Sequence, residues 1–182
     1  GSNPYTTNDA GDLLNQFRNY WIANHSDIDR DVAHLFTGRN LSGSTIGVAW
    51  PGQICGGLQY GLVQSDFNGA FACATDLSAH ELGHNWGADH CSCGGNTMNP
   101  SITCANDFHA TASIPEMISF RNSIAGCLDD CNIDPPNGYC GSGSDNTSGE
   151  YMSSVVIGTF TNPTGSDGYS EWGFIPINVD QG

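Results

Sequence analysis

The first apolar pattern along the chain predicts a helix over residues 9–24. Five large side chains recur there with the period of an α-helix and fall on one stripe: Leu13, Leu14, Phe17, Tyr20 and Trp21. A stripe of this kind is typical of a helix that packs one face on a core. We therefore interpret these five residues as core residues and not as an aromatic ligand site.

The patterns that follow predict three more helices and two strands. The helices cover residues 31–36, 75–86 and 113–124, and the strands cover residues 45–50 and 60–64. Thr75 is the expected N-cap of the second of these helices. Ser113 and Glu116 have the spacing of a capping box at the start of the third.

The composition changes after Cys127. Residues 132–149 are rich in Pro, Gly, Asn, Ser and Asp, which predicts a linker. Strand-like runs follow at residues 151–157 and 169–174, without helical patterns. We therefore divide the chain into a main domain, residues 1–131, and a linker with a partial β segment, residues 132–182.

The net charge excludes several kinds of partner. The 182 residues carry 19 acidic side chains against four arginines and no lysine, for a formal net charge of −15. Nucleic acids and anionic membrane surfaces are bound by clustered cations, so neither is an expected partner. No apolar run approaches the roughly 18 residues that a membrane-spanning helix needs.

Cysteine is used heavily, with eight residues. An even count in an acidic, glycine-rich chain indicates disulfides and an oxidising compartment, which predicts a secreted protein. A thiolate metal site is the alternative, but its usual Cys-x-x-Cys signature is absent from the sequence.

The segment HELGHNWGADH, residues 80–90, carries the candidate chemistry. His80 and His84 lie four residues apart on a predicted helix, so both imidazoles project from one face and can bind one ion. Gly87 comes where the helix must end, and its freedom to adopt a positive φ lets the chain turn back and bring up His90. Three imidazoles leave one position for water, as in catalytic zinc sites, and Glu81 can reach that water.

The motif and its surroundings resemble the metzincin zinc endopeptidases, and in particular the adamalysin (reprolysin) group and its bacterial relatives. Residues 30–38, RDVAHLFTG, and residues 43–49, GSTIGVA, are similar to segments that reprolysins carry ahead of the active-site helix. The resemblance covers about residues 5–130. It implies an α/β fold of the α+β zincin-like kind, with a mixed sheet and an active-site helix.

The resemblance also implies roles for single residues. The zinc ligands are His80, His84 and His90, Glu81 is the general base, and Met98 forms an apolar floor beneath the metal in the Met-turn. Tyr60, Gly61, Leu62 and Val63 would belong to an antiparallel edge strand that pairs with an extended substrate. Pro100, Ser101 and Ile102 would wall the specificity pocket. The expected activity is hydrolysis of peptide bonds in proteins or peptides through a zinc-activated water.

Disulfides and a second metal ion follow from the same resemblance. It implies a disulfide from Cys55 to Cys127, and we expect Cys104 to pair with Cys91 or Cys93, while Cys73, Cys131 and Cys140 stay unassigned. It also implies a calcium site away from the zinc, with ligands from three residues: Asp31, Cys127 and Asp130. Oxygen donors of this kind suit calcium.

Three further expectations concern the extent of the domain. The tail, with segments such as NTSGEY at residues 146–151, resembles the opening of a GEVED-type β domain. Reprolysin catalytic domains begin with two parallel strands and a helix, for which residues 1–8 offer no counterpart. We therefore expect a catalytic domain without its first strands, whose partners include other parts of a larger parent polypeptide.

One residue next to the motif departs from the family pattern. Reprolysins usually have Asp directly after the third histidine, where this chain has Cys91.

The truncation leaves an alternative function open. The chain could be a catalytically weak or silent zinc-binding or adhesion module, a fragment of a larger secreted protein. The presence of Glu81 favours the endopeptidase, because silent relatives in such families often lose this residue.

Overall fold

A computed structural model of the chain describes residues 3–28, 30–65 and 67–128. The predicted linker, the predicted strands of the tail and the segment that resembles a GEVED-type domain lie outside the described residues. Asp130, Cys131 and Cys140 lie outside them as well.

The described residues combine helices with a small sheet, which confirms the predicted α/β fold class. In chain order, the elements are helix α1 (Ala10–Asn24), strands β1 (Ala33–Thr37), β2 (Gly47–Ala49) and β3 (Tyr60–Gln64), and helices α2 (Phe71–Asn85) and α3 (Ser113–Ser123). Short 3-10 turns lie at Phe67–Gly69 and Ala125–Cys127.

The sheet is mixed, with the strand order β1-β3-β2. β1 runs parallel to β3, with Ala33 opposite Tyr60. β2 runs antiparallel to β3, with Gly47 opposite Val63. β3 is therefore the central strand of the three, and the expectation that its residues form an edge strand is wrong.

Helix α1 forms as the apolar stripe predicts. Asp9 caps it, and its carboxylate accepts a hydrogen bond from the Asp12 amide at 3.0 Å. Leu13, Leu14 and Phe17 are buried in a cluster that includes sheet residues of β1 and β3. Burial of each such side chain contributes about 1.5–3 kcal/mol, so this face of α1 anchors the sheet.

The helix predicted over residues 31–36 is wrong, because this segment contains strand β1. Apolar side chains in so short a segment fit either period, and pairing between strands then decides the outcome. Here β1 pairs along its whole length with β3. Ala33, His34, Leu35 and Thr37 are all buried, as in a strand that is covered on both faces.

The predicted N-terminal caps of two helices need correction. α2 begins at Phe71, four residues before Thr75, and the Thr75 hydroxyl donates to the Phe71 carbonyl inside the helix instead of capping it. α3 begins at Ser113 as predicted, but no side chain caps it. The Glu116 carboxylate accepts instead from the Asp89 amide at 3.0 Å, in the turn that follows α2.

Candidate metal centre

Helix α2 supplies two of the three predicted ligands. His80 and His84 lie one turn apart on the same face of α2, and their ring centres are 4.8 Å apart. α2 packs on β2 and β3, so its position is set by the sheet. His80 is buried and His84 is half-buried, and both lie in the C-terminal half of α2.

The turn after α2 brings in the third ligand. The Gly87 amide donates to the His84 carbonyl at 2.8 Å, and the Ala88 amide donates to the Gly83 carbonyl at 2.9 Å, which is the Schellman pattern. Gly87 has φ +83°, and a Cβ there would lie 3.0 Å from Phe120 of α3. Glycine is needed at position 87 for both reasons, and the chain then returns with His90.

The three imidazoles converge through their Nε2 atoms. The Nε2 atom of His90 lies 3.0 Å from that of His80 and 3.1 Å from that of His84. The potential ligand atoms of the three residues all lie within 4.8 Å of one another. Among the described residues, this is the cluster of three or more His, Cys, Asp or Glu side chains that could hold a metal ion.

Backbone carbonyls set the protonation of two of these rings. The Nδ1 atom of His80 lies 2.7 Å from the Thr97 carbonyl, and Nδ1 of His84 lies 2.8 Å from the Ala88 carbonyl. Because a carbonyl only accepts, each Nδ1 carries the proton, and each neutral ring points an unprotonated Nε2 into the cluster. The lone pairs of these Nε2 atoms face one another and repel unless a cation lies between them. These residues therefore fit a zinc ion.

The local environment favours the neutral form of His80 and His84. Burial lowers the pKa of His84 to about 4, although the hydrogen bond to the Ala88 carbonyl opposes the shift. Burial also lowers the pKa of His80, again against its hydrogen bond to a carbonyl. Neutral imidazole is the form that binds metal, so binding near pH 7 requires little proton release from these two rings.

Glu81 lies buried beside the cluster. The side chain is 4% exposed, and its Oε2 atom is buried without a hydrogen-bond partner among the described residues. Burial raises the pKa of Glu81 to about 8. A metal ion at the neighbouring imidazoles would favour the charged carboxylate. A buried carboxylate with a free oxygen next to three metal ligands is suited to hold and move a proton.

Gly47 of β2 makes room for this carboxylate. A Cβ at position 47 would lie 2.6 Å from Oε1 of Glu81 and 2.9 Å from its Cγ. The outer strand of the sheet thus touches the candidate base directly. No local sequence signal marks Gly47 for this role, because the contact joins segments that are far apart in the chain.

Met98 packs against helix α2 at Gly83. It is fully buried, and a Cβ on Gly83 of α2 would lie 2.5 Å from its Sδ atom. The Met98 carbonyl accepts from the Cys91 amide at 2.9 Å, which joins this turn to the segment that carries His90. Its role as an apolar floor beneath the metal, which the resemblance implies, stays a prediction.

The residues expected to contact substrate are placed differently. Tyr60, Gly61, Leu62 and Val63 are buried in the central strand, where β1 and β2 use the backbone hydrogen-bonding groups on both sides. The strand next to Glu81 is β2. Beyond Met98, Pro100 and Ser101 are exposed and Ile102 is half-buried, so these three are accessible for the predicted pocket wall.

Three disulfides link the described cysteines. Cys55 pairs with Cys127, as the resemblance implied. The predicted pairing of Cys104 is wrong, because Cys104 pairs with Cys73 in the first turn of α2, with the Cα atoms 4.2 Å apart. Cys91 and Cys93 pair with each other.

The implied calcium ligands are only partly described. The Asp31 carbonyl accepts from the Cys55 amide at 2.9 Å, and Cys55 is bonded to Cys127. Asp31 and Cys127 therefore lie in the same region, beyond the C-terminal end of α3. The third, Asp130, lies outside the described residues, so the calcium site stays a prediction.

This fold and site define an α/β protein with a three-histidine cluster that could hold a metal ion. The family model described as metallo-peptidase family M12, of the reprolysin kind, matches residues 1–117. The chain belongs to metallo-peptidase family M12. It is also similar to the hemorrhagic metalloproteinase-disintegrin-like kaouthiagin of Naja kaouthia, with 42% identity over 60 residues. That match covers 33% of this chain and 15% of the relative.

None of the described helices combines the length and the apolar character that crossing a bilayer would require.

Proposed function

We propose that this chain is a secreted zinc endopeptidase that hydrolyses peptide bonds in proteins or peptides. The observation that carries the proposal is the convergence of three Nε2 atoms, at 3.0 and 3.1 Å, beside the buried carboxylate of Glu81. Membership of a metallopeptidase family supports it. The disulfides support an oxidising, extracellular location.

Within this proposal, His80, His84 and His90 hold the zinc ion, and Glu81 is the general base. Bound zinc supplies Lewis-acid chemistry, since it polarises a carbonyl and lowers the pKa of water. Glu81 accepts a proton from the attacking water and returns it to the amine of the leaving peptide. Its burial keeps solvent from competing for that proton, and Gly47 holds the carboxylate against β2.

We propose the outer edge of β2 as the place where an extended substrate pairs. β2 occupies an outer position in the described sheet, and its Gly47 lies against Glu81. A peptide added as a strand along β2 would receive backbone hydrogen bonds next to the candidate base. Ile102 and its neighbours Pro100 and Ser101 would then wall the pocket for one substrate side chain.

Metal analysis tests the ligand set. We expect near-unit zinc stoichiometry after dialysis of the full chain, and loss of most of the zinc in His84→Ala, because two imidazoles bind zinc far less tightly than three. His109→Ala is a matched control, since His109 is half-buried near the Met98 turn but outside the cluster. Zinc that persisted in a His84→Ala/His90→Ala chain would contradict the assignment.

Turnover of a quenched-fluorescent peptide mixture tests the activity. We expect cleavage that a chelator abolishes and that added zinc restores, because the chemistry depends on the bound ion. A chain with one zinc ion and no turnover would favour the alternative, a silent zinc-binding module. A chain that cleaved equally well with chelator would contradict a metallopeptidase mechanism.

We also propose the calcium site of Asp31, Cys127 and Asp130. At a net charge of −15, the chain has an electrostatic reason to take up divalent cations as well. With zinc saturating, we expect millimolar calcium to raise the thermal midpoint by linkage, relative to sodium of equal ionic strength. Asp31→Asn should remove most of the increase. Equal midpoints in calcium and sodium would eliminate the site.

A further inference from the structure

A buried carboxylate lies one helical turn before the first metal ligand. Asp76 of α2 is 0% exposed. Its Oδ1 atom accepts two hydrogen bonds, from the Thr97 hydroxyl at 2.7 Å and from the Asn106 amide at 3.0 Å. Its Oδ2 atom is buried without a hydrogen-bond partner among the described residues. Burying an aspartate side chain costs free energy of folding unless hydrogen bonds compensate, so the two bonds to Oδ1 matter for this position.

Thr97 connects this carboxylate to the metal centre. Its hydroxyl donates to Asp76 and accepts from the Asp107 amide at 2.9 Å, and its own amide donates to the Asp107 carbonyl at 2.8 Å. Its carbonyl accepts from Nδ1 of His80 at 2.7 Å. The hydroxyl, the amide and the carbonyl of Thr97 therefore all have hydrogen-bond partners. These bonds help to fix the carbonyl that orients His80.

We infer that Asp76 is a positioning residue for the metal centre, acting through Thr97 on the imidazole of His80. The Thr97 hydroxyl is fixed from two sides, because it donates to Oδ1 of Asp76 and accepts from the Asp107 amide. The fixed carbonyl then holds the protonated Nδ1 and aims Nε2 at the ion. Partners of this kind behind metal ligands typically contribute 10–100-fold to affinity. The inference rests on the proposed zinc site.

The Cys73–Cys104 disulfide stabilises the contacts around Asp76. Cys73 lies one turn before Asp76 on α2, and Cys104 lies two residues before Asn106. Asn106 also donates from its side chain to the Ala72 carbonyl at 2.9 Å. The segment that supplies one donor to Asp76 is thus bound to the same helix by a covalent link and by hydrogen bonds.

The experiment measures the zinc dissociation constant of the full chain by competition with a chromophoric chelator, using zinc alone as the probe. Thr97→Val removes the hydroxyl at nearly constant volume, and we expect about tenfold weaker binding or more. Thr97→Ser keeps the hydroxyl and should restore affinity close to that of the parent. Asp76→Ala should weaken binding in the same direction as Thr97→Val.

Thr37→Val is the matched control. Thr37 is also 0% exposed, and its hydroxyl accepts a hydrogen bond from the Arg39 amide at the far end of β1. Both valine variants lose a buried hydroxyl, so both should lower the thermal midpoint of the apo chain, but only Thr97→Val should weaken zinc binding. Because Thr97→Val and its control are read together, the test holds even where Asp76→Ala does not fold.

Two results would overturn the inference, and they are distinguishable. Equal zinc affinities of Thr97→Val and Thr37→Val, with tight binding by the parent, would overturn the role of Asp76 and leave the zinc site standing. A parent chain that bound no zinc would overturn the proposed function, and the inference with it.

Discussion

Replacement of Glu81 by alanine should lower the peptidase rate by about 10²–10⁴-fold, the usual contribution of a positioned acid or base. Glu81 touches the cluster only as a neighbour on α2 and is not one of the converging groups. The zinc content should therefore stay near that of the parent. The combination of lost turnover and retained metal distinguishes a base from a ligand.

The measurement is kcat/KM on a fluorogenic peptide together with metal analysis of the same sample. Glu81→Gln keeps the shape of the side chain and removes its basicity, so it should be nearly as slow as Glu81→Ala. Met98→Leu is the control, because Met98 is buried against Gly83 of α2 and a volume-conserving change costs less than about 1.5 kcal/mol. Near-parent turnover of Glu81→Ala would refute the proposed mechanism.

Removal of the Cys55–Cys127 disulfide should have the largest effect on stability. The two cysteines are 72 residues apart in the sequence. For a loop of that length, the chain-entropy relation gives a loss of about 4 kcal/mol in the free energy of unfolding for a Cys55→Ser/Cys127→Ser chain. A loss of that size is a large part of the roughly 5–15 kcal/mol that stabilises an ordinary domain.

The effect should extend to the metal centre. The disulfide holds the end of the segment that follows α3, and α3 supports the turn of His90 through Glu116 and Phe120.

Urea unfolding of two double-serine variants measures the loss in the free energy of unfolding. Cys91→Ser/Cys93→Ser opens a link between residues only two apart, for which the same relation gives about 1 kcal/mol. A larger loss in this second variant than in the first would contradict the prediction.

The sequence predicts best where one element carries the whole pattern. The long apolar stripe of α1 fixes that helix to within one residue, and the spacing of His80, His84 and His90 fits the helix and turn that bring them together. Both patterns are local and depend on the periods of regular backbone. The Cys55–Cys127 pair came from resemblance to a family and not from spacing.

Features that depend on pairing between distant segments could not be predicted. The six residues of 31–36 fit either secondary structure, and only pairing with β3 decides that the last four of them belong to a strand. The same pairing places β3 in the centre of the described sheet, so the expected substrate strand was misplaced. Gly47 and Asp76 carry no local signal, because their partners Glu81 and Thr97 lie elsewhere in the sequence.

The short span of the ligand set has a consequence for the order of folding events. His80 and His90 are 10 residues apart, whereas Cys55 and Cys127 are 72 apart. Loops of about 10 residues close in roughly 10–100 ns. From the logarithmic dependence on loop length, the larger loop costs about 1.7 kcal/mol more in closure entropy. Capture of a metal ion by the three histidines therefore does not have to wait for the oxidation that joins the distant cysteines.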